Sequence, residues 1–162
     1  MHGMFFDDFS VDQIFESKAV TVSTADILNF ANAFDPNPFH LDTEVARGHG
    51  FPDIIAPGMH TLSLSMKLFF DLDLWDDAVL PSPGIDNVRW HRPVLPGTCL
   101  FVRAKVSEVL PSRSKPDRGI IKVHQETLEQ TTDKVLMSAD VMHRLKRRPT
   151  RIDPDARKED AA

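Results

Sequence analysis

A single cysteine, Cys99, occurs in 162 residues. With no second thiol the chain cannot close an internal disulfide, which fits a reducing compartment and leaves no Cys pair for a structural metal. Positive charge is also scarce: 19 Lys and Arg stand against 24 Asp and Glu, a formal net charge of −5. That balance excludes a general nucleic-acid binder, which needs a basic face for phosphates. No apolar run reaches the roughly 18 residues of a membrane span. The opening MHGMFFDDFSVDQIF is acidic where a secretory leader is basic. The expectation is a soluble, cytoplasmic domain with no membrane and no nucleic-acid partner.

Signatures of metal and nucleophile chemistry are missing as well. His49, His60, His91, His124 and His143 fall into no HExxH or similar ligand spacing. No serine sits in a GxSxG elbow. Neither a metal nor a cofactor is expected, and Cys99, at a strand start, reads as a small core residue.

What is present is ordinary globular material, 41% hydrophobic and 27% charged, enough for one domain over residues 1–145. Residues 146–162 are polar and read as a loosely ordered tail. VDQIFESKAVTV reads as an extended lead-in. STADILNFANAF reads as a helix, with Ser23 and Asp26 as a capping box and Ile27, Leu28, Phe30, Ala31 and Phe34 at helical spacing. A short helical turn is expected in DTEVARG. The strongest helix candidate, PGMHTLSLSMKLFFDL, puts Met59, Leu62, Met66, Phe69 and Phe70 on one face, with His60, Ser63, Lys67 and Asp71 on another. From residue 84 the period changes to two. GIDNVRWHRPV, CLFVRAKVSEVL, GIIKVHQETLEQ and KVLMSADVMHRL alternate and predict an antiparallel sheet with one buried face. Helices followed by strands indicate an α+β fold, a long helix against a sheet whose uncovered edges call for a dimer.

FDPNPFHLD, residues 34–42, carries the chemistry. Pro36 and Pro38 predict a rigid, non-helical connection that holds the carboxylate of Asp35 and the imidazole of His40. As loop punctuation an Asp-Pro turn needs no function. As a rigidly braced pair, Asp35 and His40 suit holding and deprotonating one water molecule. Further on, IIAPGMH places Pro57 and Gly58 at the start of the long helix. Free first-turn amides there, with no side chain on Gly58, suit an oxyanion site for a carbonyl gaining enolate character.

DPNPFHLD, GFPDIIAPGMHT and PGIDNVRWHRPVLPGTCLFVRAKV together resemble the MaoC-like acyl dehydratases, relatives of the (R)-specific enoyl-CoA hydratases. The motif Asp-x-Asn-Pro-x-His is matched by Asp35, Asn37, Pro38 and His40, and Gly58 follows at the family's spacing. The resemblance implies a hotdog fold, a homodimer or higher homo-oligomer, and an acyl-CoA thioester substrate. It implies Asp35 and His40 as the acid/base pair and Gly58 as the amide donor, with Asn37 bracing the loop. Pro57, Met59 and His60, with Asn37, are the candidates for substrate contact. Two positions depart from the pattern: Pro57 stands where a His is usual, and Met66 where a Ser is usual, with Ser63 and Ser65 nearby.

Arg113, Lys115 and Arg118, with Lys146, Arg147 and Arg148, offer charge for coenzyme A phosphates, or a solvated loop and tail. Two alternatives stay open. An acyl-CoA thioesterase needs a carboxylate on the central helix, for which Asp71 is the nearest acid, and a non-catalytic acyl-CoA-binding subunit needs neither Asp35 nor His40.

Overall fold

The computed structural model describes residues 3–75 and 77–149. Among the described residues, a 3-10 turn (Phe6–Asp8) and four α-helices precede or interrupt the strands: α1 (Thr24–Phe34), α2 (Pro38–Leu41), α3 (Thr43–Gly48) and α4 (Gly58–Phe70). The strands are β1 (Ile14–Glu16), β2 (Val20–Thr21), β3 (Val79–Trp90), β4 (Cys99–Pro111), β5 (Arg118–Glu129) and β6 (Val135–Lys146). Among the described residues they form one antiparallel sheet in the order β1-β4-β5-β6-β3, with β2 also on β4. The sheet wraps α4 in the hotdog arrangement.

The period-two reading of the late strands corresponds to what is buried. Leu100, Val102, Ala104 and Val106 of β4 are fully buried, as are Ile121 and Val123 of β5 and Val141 and Leu145 of β6. Their polar alternates face outward, for example Arg103 pairing with Glu16 at 2.6 Å. α1 begins as expected, with Ser23 Oγ accepting from the Asp26 amide at 3.1 Å and Asp26 accepting from the Ser23 amide at 2.9 Å.

Three expectations need correction. FDPNPFHLD is not wholly non-helical: Pro38 occupies the first position of α2, where a missing N–H costs nothing, and His40 lies in that single turn. The buried face of α4 is Thr61, Leu62, Ser65, Leu68 and Phe69, whereas Met59 is 53% and Phe70 46% exposed. Ser65 takes the inward place because its hydroxyl accepts from Gln125 Nε2 at 2.7 Å and Thr127 Oγ1 at 2.9 Å, both on β5. The first residues of the stretch expected as a tail, 146–148, are held. β6 includes Lys146, and Arg147 and Arg148 pair with Asp7 and Asp8 at 3.2 and 2.6 Å. Residues 150–162 lie outside the described residues.

Candidate active site

Asp35 ends α1, its amide donating to the Ala31 carbonyl at 2.9 Å. Its Oδ1 accepts from Asn37 Nδ2, and its Oδ2 faces His40 Nε2 at 3.5 Å. His40 is 5% exposed, with Nδ1 2.7 Å from the Ile55 carbonyl. A carbonyl only accepts, so Nδ1 carries a proton, and in the neutral form of the ring the lone pair is at Nε2, toward the carboxylate. Two acceptors cannot hydrogen-bond each other directly, but at 3.5 Å they are close enough for the two O–H groups of one water to reach both. Pro38 at the start of α2 and the Thr43–Asp53 hydrogen bond of 2.8 Å hold the segments carrying the pair.

A cavity of about 320 Å³ opens beside His40 and is lined also by Gly58, Thr61, Ile55, Trp90 and Val94. Gly58 is the first residue of α4, capped by Pro57, which supplies no side-chain cap. The amides of Gly58, Met59 and His60 therefore have no acceptor within the helix, and only that of Thr61 reaches back, to the Pro57 carbonyl at 3.2 Å. The helix dipole adds positive potential at the same end.

Gly58 and His40 share the cavity; Asp35 does not line it and lies behind His40, 3.5 Å from its Nε2. The other candidates do not line it. Successive helical residues radiate about 100° apart, so when Gly58 and Thr61 face the cavity Met59 and His60 cannot. Met59 projects outward, and His60 stacks on Phe30 at 4.8 Å with a 9° interplanar angle. Burial lowers the His60 pKa, against a smaller raising influence of Asp26. Pro57 is buried behind the helix start and Asn37 is engaged with Asp35. Trp90 and Ile55 join the site without being sequence candidates. Trp90 carries a sequence signal as the last aromatic of an alternating run; a backbone carbonyl such as that of Ile55 carries none.

The remaining candidates lie elsewhere. Asp71 pairs with Lys67 at 2.5 Å and borders a different cavity, with Leu64, Leu68 and Leu72. Lys115 and Arg118 border a third, at the β4–β5 turn, where Arg118 is held by Asp117 at 2.7 Å. Cys99 donates to Gln130 Oε1 at 3.0 Å.

Against known families, residues 8–130 match the MaoC-like domain. The chain belongs to the MaoC-like dehydratase family. Over 132 residues it is 34% identical to the uncharacterised protein YdeM of Bacillus subtilis, covering 82% of this chain and 92% of that one. The MaoC-like dehydratase from Rhodospirillum rubrum superposes with a TM-score of 0.81 at 34% identity, covering 91% of this chain and 100% of that one. The (R)-hydratase PhaJ1 of Pseudomonas aeruginosa shares the fold, with a TM-score of 0.69 at 23% identity over 94% of this chain and 95% of that one.

Proposed function

We propose that this MaoC-like protein reversibly hydrates a 2-enoyl-CoA thioester to the (R)-3-hydroxyacyl-CoA. The observation that carries the reading is the anchored imidazole: His40 Nε2 turned to Asp35, on the cavity that also receives the start of α4. Water donates one O–H to Asp35 and the other to His40 Nε2. Its oxygen bonds to C3 of the enoyl group as the proton passes to Nε2, and the π electrons shift to the thioester oxygen. The Gly58 amide donates to that oxygen while it carries enolate charge. The proton then returns from His40 to C2, so one water is consumed and the pair is restored. Asp35 stays ionised and offsets the imidazolium formed in between.

The thioesterase alternative lacks its carboxylate here, since Asp71 is tied to Lys67 and lines another cavity. We also infer a homodimer that works in the cytoplasm. Support for the dimer comes from β3, an edge strand that exposes Val79, Ile85 and Trp90, while among the described residues no helix is long and apolar enough to cross a membrane.

The test is loss of the conjugated enoyl absorbance across a series of enoyl-CoA thioesters. Wild-type protein should consume at least one of them, and Asp35→Asn should do so about 10³-fold more slowly with unchanged melting. Thiol release without loss of the double bond, or no consumption in the whole series, would refute hydration.

A further inference from the structure

The start of α4, like that of the single-turn α2, is held differently from the starts of α1 and α3. α1 and α3 have side-chain caps, with Ser23 accepting from the Asp26 amide and Asp42 from the Glu44 and Val45 amides. α4 has none. A cap would consume the amides that the proposed oxyanion site needs free, so the turn has to be held from outside. The contact that does so comes from β3: Trp90 Nε1–H donates to the Gly58 carbonyl at 2.8 Å. The ring also lies flush against the glycine. A Cβ on Gly58 would meet Trp90 Cε2 at 2.8 Å and Nε1 at 2.9 Å, closer than real Cβ contacts allow. The space beside Gly58 is thus filled by indole, and a substrate oxygen has to approach from the amide side.

The strand beneath Trp90 is firmly set. Trp90 pairs with Met137, and the next two amides, of His91 and Arg92, both donate to the Leu136 carbonyl, at 2.8 and 3.2 Å. A register shift between Asp86 and Arg89, with Asn87 at φ 53°, re-aims the strand end just before the indole. The ring lines the same cavity as His40 and Gly58.

We infer that Trp90 is a positioning residue that holds Gly58 through its carbonyl, so that the Gly58 amide on the other side of the residue meets the thioester oxygen, and that it walls one side of the acyl site. The inference rests on the hydratase reading. Trp90→Phe removes the N–H and keeps most of the ring, so kcat with an enoyl-CoA substrate should fall about three- to tenfold with KM nearly unchanged, the scale of one neutral hydrogen bond. Trp90→Ala should lose roughly a hundredfold and raise KM, since the wall goes too. Gly58→Ala should be poorly active, and Gly58→Ala with Trp90→Ala more active than the product of the two single losses, because the clash is relieved. A purely structural role would lower melting temperature without moving kcat or KM per folded enzyme. Wild-type kcat and KM in both Trp90 variants, or strictly multiplicative losses in the double variant, would overturn it.

A second arm needs no turnover. The other tryptophan, Trp75, is 8% exposed in the core, whereas Trp90 is 50% exposed. Crotonyl-CoA should change the tryptophan emission of the wild type and leave that of Trp90→Phe unaltered. If the wild type hydrates nothing yet shows this change, the hydratase reading fails while Trp90 keeps its place at the acyl site. Emission that does not respond to crotonyl-CoA in the wild type removes Trp90 from the site.

Discussion

At the scale of single residues, His40 owes its chemical character to the Ile55 carbonyl. By accepting a hydrogen bond from Nδ1–H, that carbonyl leaves Nε2 as the basic atom of the neutral ring, turned to Asp35. In the proposed hydration the two nitrogens therefore have separable jobs, one structural and one chemical. His40→Asn puts an amide N–H near the place of Nδ1 and nothing near that of Nε2. Its melting temperature should stay closer to wild type than that of His40→Ala, while enoyl-CoA hydration falls about 10³-fold in both. Substantial hydration by His40→Asn would move the base elsewhere. The pair was legible in the sequence because it lies within six residues braced by two prolines. Trp90 as a partner of Gly58 was not, because that contact depends on where a bulged strand delivers its last side chain, 32 residues away.

Among the elements, α1 and the inner β4 and β5 faces followed from local pattern, since capping and alternation depend on neighbours along the chain. The face of α4 did not. Apolarity alone turns Met59, Met66 and Phe70 inward, but hydrogen bonding to β5 makes Ser65 a better neighbour for the sheet, and buried Thr61 lines the cavity beside Gly58. Ser65, Gln125 and Thr127 are each no more than 1% exposed. Ser65→Ala would strand two buried donors, Gln125 Nε2 and Thr127 Oγ1, at a cost of about 1–3 kcal/mol for each group left unpaired. The triple variant Ser65→Ala, Gln125→Leu, Thr127→Val should lose less stability than the sum of its three single changes, because no donor is then left buried without an acceptor. Urea midpoints for the three single variants and the triple variant test this; simple additivity would show that the three side chains do not act as one network.

For the molecule as a whole, wrapping a sheet around one helix buries whatever the strands' inward period brings to the core, an ionisable group included. His143 holds an inward position on β6 between Val141 and Leu145, where alternation read for apolar residues alone does not mark it. It is 2% exposed, stacked on Phe69 at 5.1 Å and beside Trp75 at 4.9 Å, and its Nε2 has no hydrogen-bond partner. Burial pushes its pKa down to about 4. In the unfolded chain the same ring titrates near its ordinary value of about 6.5. Between those values the unfolded state binds a proton that the folded state refuses. Stability is therefore undiminished above about pH 6.5, falls as pH drops toward 4, and levels off below, a total of about 3 kcal/mol from this one group. His143→Phe keeps an aromatic ring in the Phe69–Trp75 cluster and has nothing to titrate. Urea midpoints followed from about pH 7 to pH 4.5 should decline distinctly less in His143→Phe than in the wild type, with the carboxylates contributing equally to both. Parallel declines would mean that this imidazole is protonated in the fold as readily as in the open chain.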